Sequence, residues 1–186
     1  RSYAAASVDS VLFDSLSAIL NLYIGEAFRY ASINTDSIDK KFLDEIAWSK
    51  KGTGSQSMSF HQVQGLQLKM LDYLENNGYP FARVVLDSID WKEDGPHAVL
   101  KIEKGPLYKI DSIRNFGNAR ISSSFLQRYL SIMNGSIYKK ERLLVVSKKL
   151  SELPYVQEQQ PWTLTRLGSG SILDVYLDPK KSSQVN

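Results

Sequence analysis

Short blocks of this sequence return, in the same order, at an interval of roughly 80 residues. VDSVLF at 8–13 returns as LDSIDW at 86–91. Gly25-Glu26-Ala27-Phe28 followed by Ala31-Ser32-Ile33 is matched by Gly105-Pro106-Leu107-Tyr108 followed by Asp111-Ser112-Ile113. Asn77-Gly78-Tyr79-Pro80 has its counterpart in Leu153-Pro154-Tyr155-Val156. A chain built this way is expected to fold as a series of small, similar units, each one supersecondary motif, and not around one large core.

The middle copy is the most readable. Phe28 to Ile38 reads as a strand, Lys40 to Trp48 as a short helix and Lys50 to Ser57, with Gly52 and Gly54, as a polar loop. Ser59 then caps a longer helix whose Val63, Leu66, Met70 and Leu74 share one face. Asn76-Asn77-Gly78 ends that helix, because glycine supplies a left-handed cap, and Tyr79-Pro80 prevents its continuation. Period-2 alternation marks a strand from Phe81 to Trp91. Lys92-Glu93-Asp94-Gly95-Pro96 is a turn, and the return strand His97 to Glu103 sends Ala98, Leu100 and Ile102 to one face.

The last third repeats the order. Tyr108 to Asn115 is a strand, Ser122 caps a helix ending at Leu130, and Asn134-Gly135 turns the chain into a second helix, Lys139 to Leu153. Leu143, Val146, Leu150 and Leu153 form the apolar face of that helix. Two strands, Gln157 to Leu167 and Ser171 to Leu177, close around Gly168-Ser169-Gly170. Pro161 has no ladder donor, so its strand belongs at a sheet edge. The first 24 residues admit two readings. Val8, Val11, Leu12, Leu16, Ile19, Leu20, Tyr23 and Ile24 fit a helical stripe, whereas the repeat makes Ser2 to Phe13 and Ala18 to Ile24 a hairpin turning at Asp14-Ser15-Leu16-Ser17.

Charge and composition argue against several function classes. Twenty-three basic and 20 acidic side chains leave only +3, and the paired lysines are isolated, so no nucleic-acid footprint is evident. Without cysteine there is no disulfide, thiol nucleophile or thiolate metal site, and no apolar run is long enough for a membrane-spanning helix. His61 and His97 fall in different elements and form no acid-base or metal constellation. The Asp-Ser pairs at Asp9, Asp36, Asp87 and Asp111 fit turn hydrogen bonding better than paired carboxylates. Trp48, Trp91 and Trp162 read as packing residues. Gly52-Thr53-Gly54 lacks the lysine of a phosphate cradle. Arg1 in place of methionine reads as the start of an excised or processed piece of a longer chain.

The β-α-α-β-β order, the LENNGYP junction before FARVVLDSI and the run through Glu103-Lys104-Gly105-Pro106 into the next copy resemble POTRA domains. These are the polypeptide-transport-associated modules of BamA/TamA-like outer-membrane β-barrel assembly proteins. The resemblance implies an α+β fold of tandem units, each a three-stranded mixed sheet with two helices on one face. It divides the chain into a closing hairpin of a truncated unit (1–25), a complete unit (26–104), a complete membrane-proximal unit (105–180) and a linker toward a barrel (181–186).

It implies no catalysis, cofactor or metal. It places the module at the periplasmic face of the outer membrane, with unfolded outer-membrane protein clients, periplasmic or lipoprotein accessory subunits and a C-terminal barrel of the same protein as partners. The second strand of each sheet would be an open edge, able to pair with client main chain largely regardless of sequence. The expected client-binding residues are Arg83, Val84, Val85 and Leu86 in one unit and Thr163, Leu164 and Thr165 in the other. The alternative is a structural or docking scaffold of a division or secretion protein with one fixed partner.

Overall fold

A computed structural model describes residues 6–24, 31–48, 55–168 and 170–180. The expectations for residues 2–5, the strand start at 28–30, the loop at 50–54 and the linker at 181–186 lie outside the described residues. The chain divides into two compact units, Arg1–Met70 with Val84–Ile102 and Leu71–Arg83 with Glu103–Asn186.

In the first unit, β1 (Ser7–Phe13) and β2 (Ala18–Tyr23) pair antiparallel as a sheet of their own. The Asp14 amide donates to the Ser17 carbonyl at 2.8 Å and the Asp14 carboxylate accepts from the Ser15 amide at 2.6 Å, closing the turn. Of the two readings of this segment, the hairpin is the one observed. The helical stripe misled because every residue of both strands is exposed, so neither strand shows the inside-outside alternation that identifies a half-buried strand.

The rest of this unit is a four-stranded sheet ordered β4-β3-β6-β5, formed by β3 (Ala31–Asn34), β4 (Ser55–Met58), β5 (Arg83–Lys92) and β6 (Gly95–Glu103). β3 runs parallel to β6 and antiparallel to β4. Asp39 caps the short α1 (Lys40–Glu45), accepting from the Lys41 amide at 2.8 Å. Helix α2 (Phe60–Asn76) starts in a capping box: the Ser59 hydroxyl accepts from the Gln62 backbone amide at 3.3 Å while the Gln62 side-chain Oε1 accepts from the Ser59 backbone amide at 2.9 Å. Val63, Leu66 and Met70 on α2, Ile33 on β3, and Ala98 and Leu100 on β6 are buried, as their spacing predicts.

The expected polar loop does not run through to Ser57. Ser55–Met58 is a strand, because β3 offers it a free ladder and Met58 a place in the core at 3% exposure. The strand expected from Phe81 begins at Arg83, the amide of Ala82 being held by the Tyr79 carbonyl in the turn before it.

In the second unit the sheet order is β8-β7-β10-β9, from β7 (Lys109–Asn115), β8 (Ser136–Ile137), β9 (Val156–Leu167) and β10 (Gly170–Pro179). β7 and β10 are parallel, and the other two pairings are antiparallel. Ser122 caps α3 (Ser123–Leu130), accepting from the Phe125 amide at 3.2 Å. The second helix is not continuous. It divides into α4 (Lys140–Leu144) and α5 (Val146–Ser151) at Val145, which sits at φ −99°, ψ 1°. Two adjacent β-branched residues, Val145 and Val146, weaken the helix there, yet Leu143, Val146, Leu150 and Leu153 still reach one core with Leu173, Val175 and Leu177.

Both sheets therefore contain the expected three strands, β3-β6-β5 and β7-β10-β9, with a short fourth strand on the far side. In each, the strand that follows the second helical segment forms an edge.

The turn after α2 belongs to the second unit. Gly78 adopts φ 95°, and the Tyr79 amide reaches back to the Leu74 carbonyl at 3.0 Å, the six-to-one bond of a Schellman cap. The Gly78 carbonyl in turn accepts from the Tyr108 amide at 2.8 Å, one residue before β7.

Candidate functional site

The predicted client-binding residues fall on the two edge strands, β5 and β9. On β5, Arg83 and Val85 are exposed, Val84 is buried and Leu86 half-buried. This edge is already partly used. The Val84 carbonyl accepts from the Gln67 side-chain amide of α2 at 3.0 Å, and within the strand Ser88 takes a left-handed φ of 53°.

β9 is different along its length. Its first half carries two register shifts against β10, one of which sets Pro161 and Trp162 between the pairs Gln160↔Tyr176 and Thr163↔Asp174. Bulges and a proline blunt an edge by twisting it and removing a donor. From Thr163 to Leu167, in contrast, the pairing with β10 is regular, ending at Leu167↔Gly170. The open, regular stretch of edge therefore contains the predicted Thr163, Leu164 and Thr165.

The two threonines are not idle. The Thr165 hydroxyl donates to Asp174 Oδ2 at 2.6 Å, and the same carboxylate takes Arg114 Nε at 2.8 Å and a second guanidinium N–H at 3.1 Å. Thr163 Oγ1 lies 3.0 Å from the Tyr176 hydroxyl, and Tyr176 stacks on Phe116, over which the Arg114 guanidinium sits at 5.0 Å. One face of the sheet thus carries a strap across β7, β10 and β9. Burial alone would raise the Asp174 carboxyl, but the hydrogen bonds from Arg114 and Thr165 outweigh it and hold it below its ordinary 3.8. The Arg114 guanidinium is held upward by the same contact.

Leu164 points to the other face, toward the helices, and packs against the core together with Trp162. There it lines an open cavity of about 280 Å³ with Pro80, Phe81, Tyr108, Tyr138, Arg166 and Ser171, all in the second unit. Phe81 and Tyr108 meet edge to face at 5.2 Å, and the Arg166 guanidinium lies 4.9 Å from the Phe81 ring centre. Burial raises the Tyr138 hydroxyl and the nearby Glu75 adds to the effect, so that ring stays neutral. Phe81, Tyr138 and Arg166 are not among the site residues expected from the sequence. Their convergence depends on a turn, a short strand and a hairpin far apart in the chain, and only the period-2 relation of Arg166 to Leu164 was available as a signal.

His61 is exposed on α2, and His97 lies 2.8 Å from Asp94, whose carboxyl that contact lowers. Among the described residues no group of histidines and carboxylates converges as a metal site, and no helix is long and apolar enough to cross a membrane. Trp48 is buried, Trp162 packs on the second core and Trp91 is half exposed on β5.

Neither a family model nor a curated protein matches the sequence. Solved structures do. The Haemophilus influenzae BamA fragment POTRA3-5 superposes with a TM-score of 0.58 at 15% identity, over 97% of this chain and 74% of that one. This chain has the POTRA fold. The likeness extends to Haemophilus ducreyi BamA lacking POTRA domains 1-3, at a TM-score of 0.57 and 14% identity, over 82% of this chain and 29% of that one. In both POTRA sheets of the chain the last hairpin supplies the edge strand.

Proposed function

We propose that this chain is a periplasmic, non-enzymatic module of an outer-membrane protein assembly or translocation machine, and that it binds unfolded client strands by adding them to its sheet edges. The stretch Thr163–Leu167 of β9, regularly paired with β10 on one side and open on the other among the described residues, carries this reading, because an exposed strand edge is a template for an extended partner whatever its side chains. The POTRA fold shared with two BamA structures supports the same setting. In it, the module stands at the periplasmic face of the outer membrane, before a barrel of the same protein, and docks periplasmic or lipoprotein accessory subunits.

On β5, Arg83, Val84, Val85 and Leu86 would serve as the corresponding edge. There the second reading, a scaffold with one fixed partner in a division or secretion protein, has an observation of its own. The bond from Gln67 to the Val84 carbonyl occupies an acceptor that a client strand would use.

Barrel-derived peptides titrated into isotope-labelled chain separate the two readings. Client pairing predicts amide shifts along Thr163–Leu167 for peptides of different sequence. Shifts restricted to the helices, or none, would defeat it.

A further inference from the structure

In an antiparallel pair, opposed residues alternate between those that exchange both ladder hydrogen bonds and those whose N–H and C=O point away from the partner. Leu167 and Gly170 are opposed across a two-residue connection, which makes them a hydrogen-bonded pair. Counting back through Arg166↔Ser171, Thr165↔Ile172, Leu164↔Leu173 and Thr163↔Asp174, the residues that turn their backbone groups to the free edge are Leu164 and Arg166. These same two residues send their side chains into the cavity with Phe81, Tyr108 and Tyr138. Main-chain template and side-chain pocket therefore coincide.

The pocket has an electrical character as well. Arg166 stacks on Phe81, and among the described residues no carboxylate pairs with it. The remaining lining is aromatic or aliphatic, apart from the tyrosine hydroxyls and buried Ser171. A guanidinium fixed over an aromatic ring at the mouth of an apolar hollow is complementary to a carboxylate beside a large apolar group.

We propose that β9 selects extended segments that carry an acidic residue and, two positions away on the same face, a large apolar side chain: the apolar side chain enters the Phe81–Tyr108–Tyr138 pocket and the carboxylate pairs with Arg166. This rests on the edge-pairing reading and adds a side-chain preference to it. Two positions is the spacing required, because only alternate residues of an added strand share the face on which Leu164 and Arg166 stand.

The test uses the 186-residue chain and a short fluorescent peptide of alternating threonine and valine, with one glutamate and, two positions later, one phenylalanine. Anisotropy gives its affinity, and amide shifts give its location. The glutamate peptide is expected to shift Leu164 and Arg166. Its lysine-for-glutamate version should bind about tenfold more weakly, and alanine in place of phenylalanine should weaken binding comparably. Arg166→Glu should invert the charge preference and Arg166→Gln abolish it. Arg166 is exposed, and an unchanged melting profile confirms that both variants fold.

Equal binding of the glutamate and lysine peptides, with shifts still on β9, overturns the pocket assignment and leaves edge pairing standing. Absence of β9 shifts with every peptide overturns edge pairing itself, and the pocket proposal with it.

Discussion

Gly78 and Asp174 show how much single positions decide here. At φ 95°, Gly78 lies where an L-residue is strained, and an added Cβ would stand 2.5 Å from a Leu107 methyl and 2.7 Å from one on Ile137. Those methyls sit on partly exposed side chains that can swing aside, so the backbone term dominates, and Gly78→Ala is expected to cost about 1–2 kcal/mol, read from the urea midpoint. At Gly117 the obstacle is the Leu177 carbonyl oxygen, 2.0 Å from the added Cβ, which cannot step aside; Gly117→Ala should be worse than Gly78→Ala. Asp174 gives a pH signature. Its carboxyl is depressed in the folded chain, so its contribution is complete above the ordinary 3.8 and is lost as pH falls through the lower folded value. Urea midpoints measured across the acid range should fall in that window, and Asp174→Asn should flatten the fall while lowering stability at neutral pH. The left-handed cap at Gly78 was readable from the local sequence, as a glycine just past a helical stripe; the close approach at Gly117 and the partners of Asp174 were not. Asp174 meets Arg114, on a strand 60 positions earlier, and the Asp-Ser and threonine patterns near it resemble ordinary turn and strand residues.

At the scale of elements, legibility followed burial. Helix α2 was readable because a capping serine precedes a stripe, Val63, Leu66, Met70 and Leu74, that is buried to within 3% exposure at every position, and Ser59→Ala is expected to remove about 1 kcal/mol from its stability. The edge placement of Pro161 was readable for the same kind of reason, a missing donor that only an edge tolerates. β4 and β8 were not readable. Ser55–Met58 and Ser136–Ile137 are too short to display a period, and they are strands only because β3 and β7 present unpaired ladders. The β9 edge was half readable: strand and alternation were visible, but the bulges confining regular pairing to Thr163–Leu167 depend on a register with β10 that no local pattern encodes. If Pro161 protects the first half of β9, Pro161→Val should promote concentration-dependent self-association in sedimentation experiments without lowering the melting temperature. Unchanged sedimentation would mean that the bulges suffice by themselves.

Across the molecule, protection from solvent is strongly uneven, and this predicts an uneven stability. The two four-stranded sheets each carry buried strand residues, such as Ile33 and Leu100 in one and Leu173 and Leu177 in the other, all at 0% exposure. The β1–β2 hairpin buries none: Phe13 is 82% exposed and Leu16 96%. An isolated two-stranded ribbon is marginal in water, because its ladder bonds alone do not offset the chain entropy without a face to pack on. Native-state hydrogen exchange should therefore give β1 and β2 amides opening free energies near zero, while central β10 amides approach the value for global unfolding. Leu12→Thr together with Leu20→Thr should leave the melting temperature almost unchanged, since exposed substitutions commonly fall within about 0.5 kcal/mol. Hairpin amides protected as strongly as β10 would show instead that the apolar ribbon is covered in solution. Loss of that protection on dilution would then identify a second copy of the chain as the cover, since only an association between molecules depends on their concentration.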